Sequence, residues 1–435
     1  MIESLQLPFV IGMVAVLMIM RVPVGISLLL AGATGFAFIR GVTITFDAIG
    51  GRLFDIGSGY ALSAVPLFLL MGHVAAKAGI TQDIYRATRA WLGHLKGSVV
   101  IATTVAAVAF AACSGSTTSS TAVFGRVAIP EMLRLKVNRK LAAGCVATVG
   151  TLAGMIPPSI NLIVYGIIAR ESVPKLLIAG IVPGLLTAFA YLVMIYIRVS
   201  RNPEMAPALP KAGIEERLQS LKGVWSFLTL GGIVIGGIYA GIITPTEAGA
   251  IGAVGSFLIA LLRKRMSFAV LKEVFLDTAQ TTSVIFIILV GALIFSSYLA
   301  VSGASGAVSE YIVGLDMSMM GIVCIYVLLL LVLGCMVDPV SVMFLTVPIF
   351  VPPLIELGAH PIWLAIVVVK TLEIGLITPP VGLNAFVLKG VAPSFSLKEI
   401  FGGIWWFLQV EVITLLMIMF IPAIATFLPE LAYAK

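Results

Sequence analysis

The punctuation of this chain repeats, and whatever one half folds into the other must fold into as well. Shifted on itself by 222 residues, the sequence places Pro23 on Pro245, Cys113 on Cys335, Ser119 on Ser341, Pro130 on Pro352 and Pro157-Pro158 on Pro379-Pro380. Eleven prolines precede position 223 and eleven follow it, and four coincide at this shift. Chance would give roughly half a match, and internal repeats come before any other reading. The halves are 1–197 and 223–435. They are joined by the only long polar stretch, Arg198 to Lys222, with Pro203, Pro207 and Pro210.

What repeats is membrane sequence. The chain is 60% hydrophobic and 11% charged, against about 25% charged in soluble domains. The ten-residue apolar-polar alternation of outer-membrane barrels is absent, so the expected class is an all-α polytopic membrane protein. Forty-three glycines suit closely packed transmembrane helices. The net charge of +7 sits in loops without an aromatic-interleaved basic patch, which reads as topology and not as nucleic-acid binding. Cys113, Cys145, Cys324 and Cys335 have no metal-ligand spacing, and His73, His94 and His360 do not cluster. The first apolar run continues past Arg21 to Ile39, as a first span does and a removed leader does not.

Loop charge gives the repeat a hand. Arg86, Arg89 and Lys96 map onto 308–318, and Arg134, Lys136, Arg139 and Lys140 map onto 356–362; neither target holds Lys or Arg. Conversely Arg263, Lys264, Arg265 and Lys272 map onto 41–50, which has none, although Arg40 and Arg52 flank it. Cytoplasmic loops collect Lys and Arg, so equivalent loops fall on opposite faces: an inverted-topology repeat, as in many secondary transporters. Both termini are then expected outside and the linker 198–222 in the cytoplasm.

Inside each half two features interrupt the apolar sequence. The hydroxyl run Cys113–Thr121 lies between Ser98–Ala112 and Ala122–Leu133, each shorter than the roughly 20 residues a span needs. That suggests a re-entrant hairpin over about 98–133, whose tip must be buried in protein or face a wet cavity; a small-residue packing seam is the alternative. Its partner is expected over about 320–355, with the tip Gly334–Ser341. There Asp338-Pro339 is a good helix start. A carboxylate near the bilayer centre nevertheless costs roughly 2.5–3.5 kcal/mol, which capping offsets in part and a bound cation could complete. The second feature is the double proline, in Gly154–Asn161 within 141–169 and in Gly375–Asn384 within 363–391. Consecutive prolines break a helix. The freed carbonyls can coordinate Na+ and the next half-helix can face an anion with its N-terminus; the alternative is a plain kink.

Other membrane charges read as structural. Glu247 suits a helix start, Lys370 and Glu373 are expected to pair at three residues' spacing, and Glu411 is buried or faces a partner. No phosphate loop, HExxH or nucleophile elbow is present, so no enzyme is expected.

At Pro66–Gly72, the hydroxyl tip, Gly154–Asn161, Thr244–Gly252, Asp338-Pro339 and Gly375–Asn384, the chain resembles the large membrane subunit of tripartite ATP-independent periplasmic (TRAP) transporters. The resemblance implies the ion-transporter-superfamily fold in a bacterial inner membrane. That fold has a scaffold and an elevator-type transport domain holding two re-entrant hairpins and two interrupted helices. It also implies Na+-coupled uptake of an organic acid, a small four-helix membrane subunit and a soluble periplasmic substrate-binding protein. Carried onto these residues, one Na+ site would involve Ser114, Ser119, Gly154 and Pro157, and the other Asp338, Ser341, Gly375 and Thr378. The substrate would sit near Ser116, Thr117, Pro158, Asn161, Pro380 and Asn384. The rivals are a stand-alone carboxylate symporter of the same superfamily, an intramembrane enzyme and a channel. The enzyme is disfavoured because Asp338 has Ser116, not a second aspartate, at its symmetric position. The channel is disfavoured by two broken helices and two hairpins, which suit alternating access.

Overall fold

In the computed structural model, residues 2–304, 306, 307, 310, 314 and 317–433 are described, with side chains from Gln6 on. Among these residues the only regular structure is helical. The first half forms α1 (Ile2–Ile19), α2 (Val24–Arg40), α3 (Val42–Ser58), α4 (Ala64–Lys77), α5 (Ile80–Leu92) and α6 (Ser98–Ser114). It continues through α7 (Thr117–Arg134), α8 (Arg139–Val149), α9 (Ile160–Ala169), α10 (Val173–Ala179) and α11 (Ile181–Arg201). The second half contains α12 (Ile214–Tyr239), α13 (Pro245–Leu262), α14 (Phe268–Val301), α15 (Met319–Gly334) and α16 (Pro339–Glu356). It ends with α17 (Pro361–Gly375), α18 (Leu383–Val391), α19 (Leu397–Phe420) and α20 (Ala423–Tyr433). Among the described residues seven helical stretches are long and apolar enough to cross a bilayer. The chain is a multi-pass membrane protein.

Local chemistry explains where these helices begin. Ser116, Ser159, Ser267, Ser318 and Asp338 each accept the third amide of the helix that follows, which satisfies a donor the helix cannot pair internally. Thr244 with Glu247 and Ser396 with Glu399 form reciprocal capping boxes. Glu247 is thus the helix-start charge the sequence suggested.

Helix starts recur at the spacing of the prolines: Thr117 and Pro339 open α7 and α16, and Arg139 and Pro361 open α8 and α17. Among the described residues the halves differ beside the cavity. The first carries α3 and α4 with a break at Gly59, whose backbone is extended, whereas the second runs through as α14. Its 34 residues make a rod of about 51 Å. Glycine costs about 1 kcal/mol against alanine inside a helix, and the corresponding second-half position is Thr281.

Two expectations need correction. The hydroxyl run is not a nine-residue tip, since only Gly115 and Ser116 lie outside helices. Thr117–Thr121 form the first turn of α7, so the arms are 17 and 18 residues long, about 26 Å each, and arm length alone does not mark re-entry. The polar stretch 198–222 is also partly helical, because α11 runs to Arg201 and α12 starts at Ile214.

Basic segments converge on one face. Glu131 joins Arg89 at 2.6 Å and Arg134 at 2.8 Å. The linker bonds Gly93 through the Leu209 amide at 2.9 Å, and the Asn138 amide bonds Met205 at 2.7 Å. Arg263 reaches Asp83 at 2.5 Å, with Ser226 and the Gly223 carbonyl on its other amine. Most of 308–318, whose lack of Lys and Arg set part of the expected topology, lies outside the described residues.

Close packing of α2 on α14 depends on glycine. Gly25 and Gly32, seven apart on α2, sit against the backbones of Ile288 and Phe295, seven apart on α14. A Cβ at either glycine would fall 2.7 Å from the facing Cα. Close approach of this kind is how apolar helices gain contact where lipid competes on equal terms. Gly32→Leu is expected to lower stability by about 1–3 kcal/mol through overpacking, read as a lower melting temperature of the purified protein. Gly50→Leu, with nothing within 4 Å of its Cβ position, is expected to melt like wild type.

Candidate functional site

Where the two hairpins end, they end together. Gly115 turns the first tip with φ +61°, a conformation that costs glycine little. Its carbonyl accepts the Ile160 amide at 3.2 Å, fastening the tip to the start of α9. In the second half the Cys335 carbonyl accepts the Gly382 amide at 3.4 Å, beside the start of α18. Each hairpin is therefore tied to the half-helix that follows its own double proline. Both tips border a cavity of about 380 Å³, into which Ser116 and Asp338, the two helix caps, both face.

Thr117, Asn161 and, from the long helix α14, Gln280 and Thr281 line the same cavity. Behind it lies Glu373, which is 1% exposed. Thr117 Oγ1 donates to its carboxyl at 3.0 Å and Asn161 Nδ2 donates at 2.7 Å. Gly154 packs so close to this carboxyl that a side chain there would overlap it. A residue of the second half thus holds the first turns of α7 and α9, both in the first half. A buried polar group left without a partner costs about 1–3 kcal/mol, so these bonds tie both helix starts to the carboxyl.

The residues expected to bind substrate divide evenly. Ser116, Thr117 and Asn161 line the cavity; Pro158, Pro380 and Asn384 do not. Pro158 is buried with its carbonyl against Gly115, while Pro380 is exposed. Asn384 is fully buried and turns its amide to the Ala147 carbonyl at 3.1 Å.

The residues expected at the first Na+ site have polar partners within the protein. The Ser114 hydroxyl meets that of Ser120 at 2.8 Å, and the Gly154 carbonyl accepts Ser159 at 2.5 Å. The Ser119 amide bonds Ser116 at 3.4 Å, and Pro157 is buried in the crossover between α8 and α9. At the second site, Asp338 accepts the Ser341 amide at 3.0 Å and its hydroxyl at 2.6 Å, so the capping role of Asp338 is realised. The Thr378 hydroxyl bonds the Ile374 carbonyl at 2.6 Å, and Gly375 provides close backbone contact with Gly334. The Pro157–Pro158 and Pro379–Pro380 peptide bonds are both cis.

Sequence reasoning missed Glu373 by pairing it with Lys370. Lys370 instead forms an ion pair with Glu411 and bonds Thr187 at 2.9 Å; Tyr191 and Thr151 complete that buried cluster. A spacing of three puts two side chains near one another without deciding which neighbour each prefers. Gln280 and Thr281 carried a legible signal, since Asp277–Thr282 is a polar run inside a long apolar segment.

Residues 11–424 match the family model for the tripartite ATP-independent periplasmic transporter, DctM component. The chain belongs to this family. As a TRAP large permease it is 36% identical to the C4-dicarboxylate TRAP transporter large permease protein DctM of Pseudomonas aeruginosa, over 87% of this chain and 88% of that protein. It is 30% identical to the sialic acid TRAP transporter large permease protein SiaM of Vibrio cholerae, over 94% and 95%. The ectoine/5-hydroxyectoine permease UehC of Ruegeria pomeroyi shares 28%, over 97% and 98%. These relatives are transporter subunits and not enzymes. The fold resembles the crystal structure of the Alcanivorax borkumensis YdaH transporter, with a TM-score of 0.59 at 14% identity, covering 89% of this chain and 90% of that one. The TRAP large permease is thus a multi-pass inner-membrane protein of a tripartite system.

Removing the Glu373 carboxyl leaves Thr117 and Asn161 without their partner. Glu373→Ala is expected to cut substrate uptake about tenfold, given about 1–3 kcal/mol for a buried polar group left without its partner. Glu373→Gln, which keeps one acceptor, is expected to lose less; reconstituted transport assays measure both.

Proposed function

We propose that this TRAP large permease imports an organic acid by Na+-coupled alternating access, with the hairpin-bearing domain moving as an elevator past the scaffold. The observation that carries the reading is the meeting of Ser116 and Asp338, one cap from each hairpin, at a single cavity. Helix N-termini and hydroxyls can hold a carboxylate without a buried arginine.

Electrostatics supports cation coupling. Asp338 lines the cavity, Glu373 backs it, and no Lys or Arg lines it. An organic anion entering beside the Asp338 carboxylate meets like charge, and co-bound Na+ would offset that repulsion. The tips and the interrupted helices offer Na+ the hydroxyl and backbone oxygens of Ser114, Ser119, Gly154 and Pro157, and of Asp338, Ser341, Gly375 and Thr378. Na+ here is cargo carried with the substrate. Each net positive charge moving inward releases about 2.3 kcal/mol per 100 mV, so uptake with excess Na+ is electrogenic.

The family is tripartite, and the expected partners are a small four-helix membrane subunit and a periplasmic substrate-binding protein. With the basic face in the cytoplasm, both termini lie outside. The relatives are named for C4-dicarboxylates, sialic acid and ectoine, and a dicarboxylate is the first substrate to try.

Proteoliposomes holding both membrane subunits are expected to accumulate substrate only with the binding protein and an inward Na+ gradient. Equal uptake under a K+ gradient would sink the coupling, and uptake without the binding protein would favour a stand-alone symporter. Asp338→Asn and Ser119→Ala are expected to raise the Na+ concentration for half-maximal uptake severalfold. If neither shifts it, neither residue ligates Na+.

A further inference from the structure

On the outer surface, away from the substrate cavity, α11 and α19 leave a groove of about 640 Å³ between them. Phe189 and Ile413, both well exposed, form much of its wall. In a membrane protein an apolar wall by itself identifies no ligand. The polar end of this groove does. Arg198 and Arg201 line it at the C-terminal end of α11, and the Arg198 guanidinium lies 3.9 Å from the centre of the Trp406 ring. Neither arginine forms an ion pair among the described residues.

The helix dipole favours a cation near this end of α11, and flanking arginines are ordinary topology signals. Neither accounts for two unpaired arginines sharing one groove, with one half-buried against an indole. Length narrows the occupant further. The apolar part of the groove follows α11 for eleven residues from Leu186 to Ile197 and α19 for eleven from Trp406 to Met417, and Arg198, Arg201 and Asn202 extend it beyond that at the polar end. That is about 16–18 Å, close to one leaflet of a hydrocarbon core about 30 Å thick. A helix from a partner would cross both leaflets; a lipid occupies one. Basic pockets between membrane helices bind acidic head groups.

We propose that this groove is a binding site for an anionic phospholipid, with its phosphodiester between Arg198 and Arg201 and an acyl chain along Phe189 and Ile413. The test is native mass spectrometry of the detergent-purified full chain with added phosphatidylglycerol or phosphatidylcholine of identical acyl chains. Wild type is expected to prefer phosphatidylglycerol on the order of tenfold, since each arginine near an acidic surface adds attraction. Arg198→Gln with Arg201→Gln is expected to erase that preference. Should the double variant fold poorly, Arg201→Gln alone serves, because Arg201 is exposed; a loss of about threefold is expected there. Equal binding of the two lipids by wild type would overturn the proposal, as would undiminished preference in both variants. Adducts that disappear when a membrane partner co-purifies would give the groove to that partner and overturn it as well.

Discussion

The site depends on one buried carboxyl group. Glu373 sits at the end of α17, 1% exposed, with Thr117 and Asn161 as its donors. A buried polar group left unpaired costs about 1–3 kcal/mol, so the surroundings must bring hydrogen-bond partners to it. Thr117 opens α7 and Asn161 lies in the first turn of α9. Satisfying Glu373 therefore fixes two half-helix starts relative to α17, and with them the floor of the cavity. The positive ends of α7 and α9 add favourable dipole interaction in the same direction.

A second buried polar group on α17 is held in the same way. Lys370, one turn earlier, turns to Glu411 on α19 and Thr187 on α11, and Tyr191 and Thr151 also bond Glu411. Two side chains three residues apart on α17 thus take different partners, Glu373 the helix starts beside the cavity and Lys370 the α11–α19 pair. Removing one partner of a buried ion pair is far more damaging than removing both. Two such arrangements on a single fifteen-residue helix make α17 the element against which the hairpin, the first interrupted helix and the outer helices are registered.

The sequence revealed the frame better than the chemistry, for a physical reason. Proline, glycine and hydroxyl caps act on the backbone within a few residues, so the hairpins and both interruptions could be placed from Ser116, Asp338 and the double prolines alone. Cavity residues depend on which way a side chain points after helices distant in sequence have packed. Asn161 and Asn384 each follow a double proline, but at the shift of 222 Asn161 falls on Leu383; Asn161 and Leu383 line the cavity, while Asn384, one residue on, faces α8. Pro158 and Pro380 sit at symmetric positions, one buried and the other exposed. The misassigned Lys370 and Glu373 show the same limit, since sequence spacing offers a candidate neighbour and tertiary packing chooses among several.

That difference between halves bears on how the protein works. At the shift of 222, Glu373 corresponds to Thr151, Lys370 to Thr148, Glu411 to Phe189 and Asp338 to Ser116. The backbone repeats but the charges do not, and all four lie in the second half. An elevator with inverted repeats draws on backbone pseudo-symmetry to make its two end states similar in shape. It gains nothing from symmetric charge, because substrate and ions bind one cavity, not two. With its acidic groups concentrated on one side, the cavity would keep the same local field whichever face it opened to under the proposed elevator movement. The field would then travel with the moving domain, and the direction of net transport would be left to the gradients outside it.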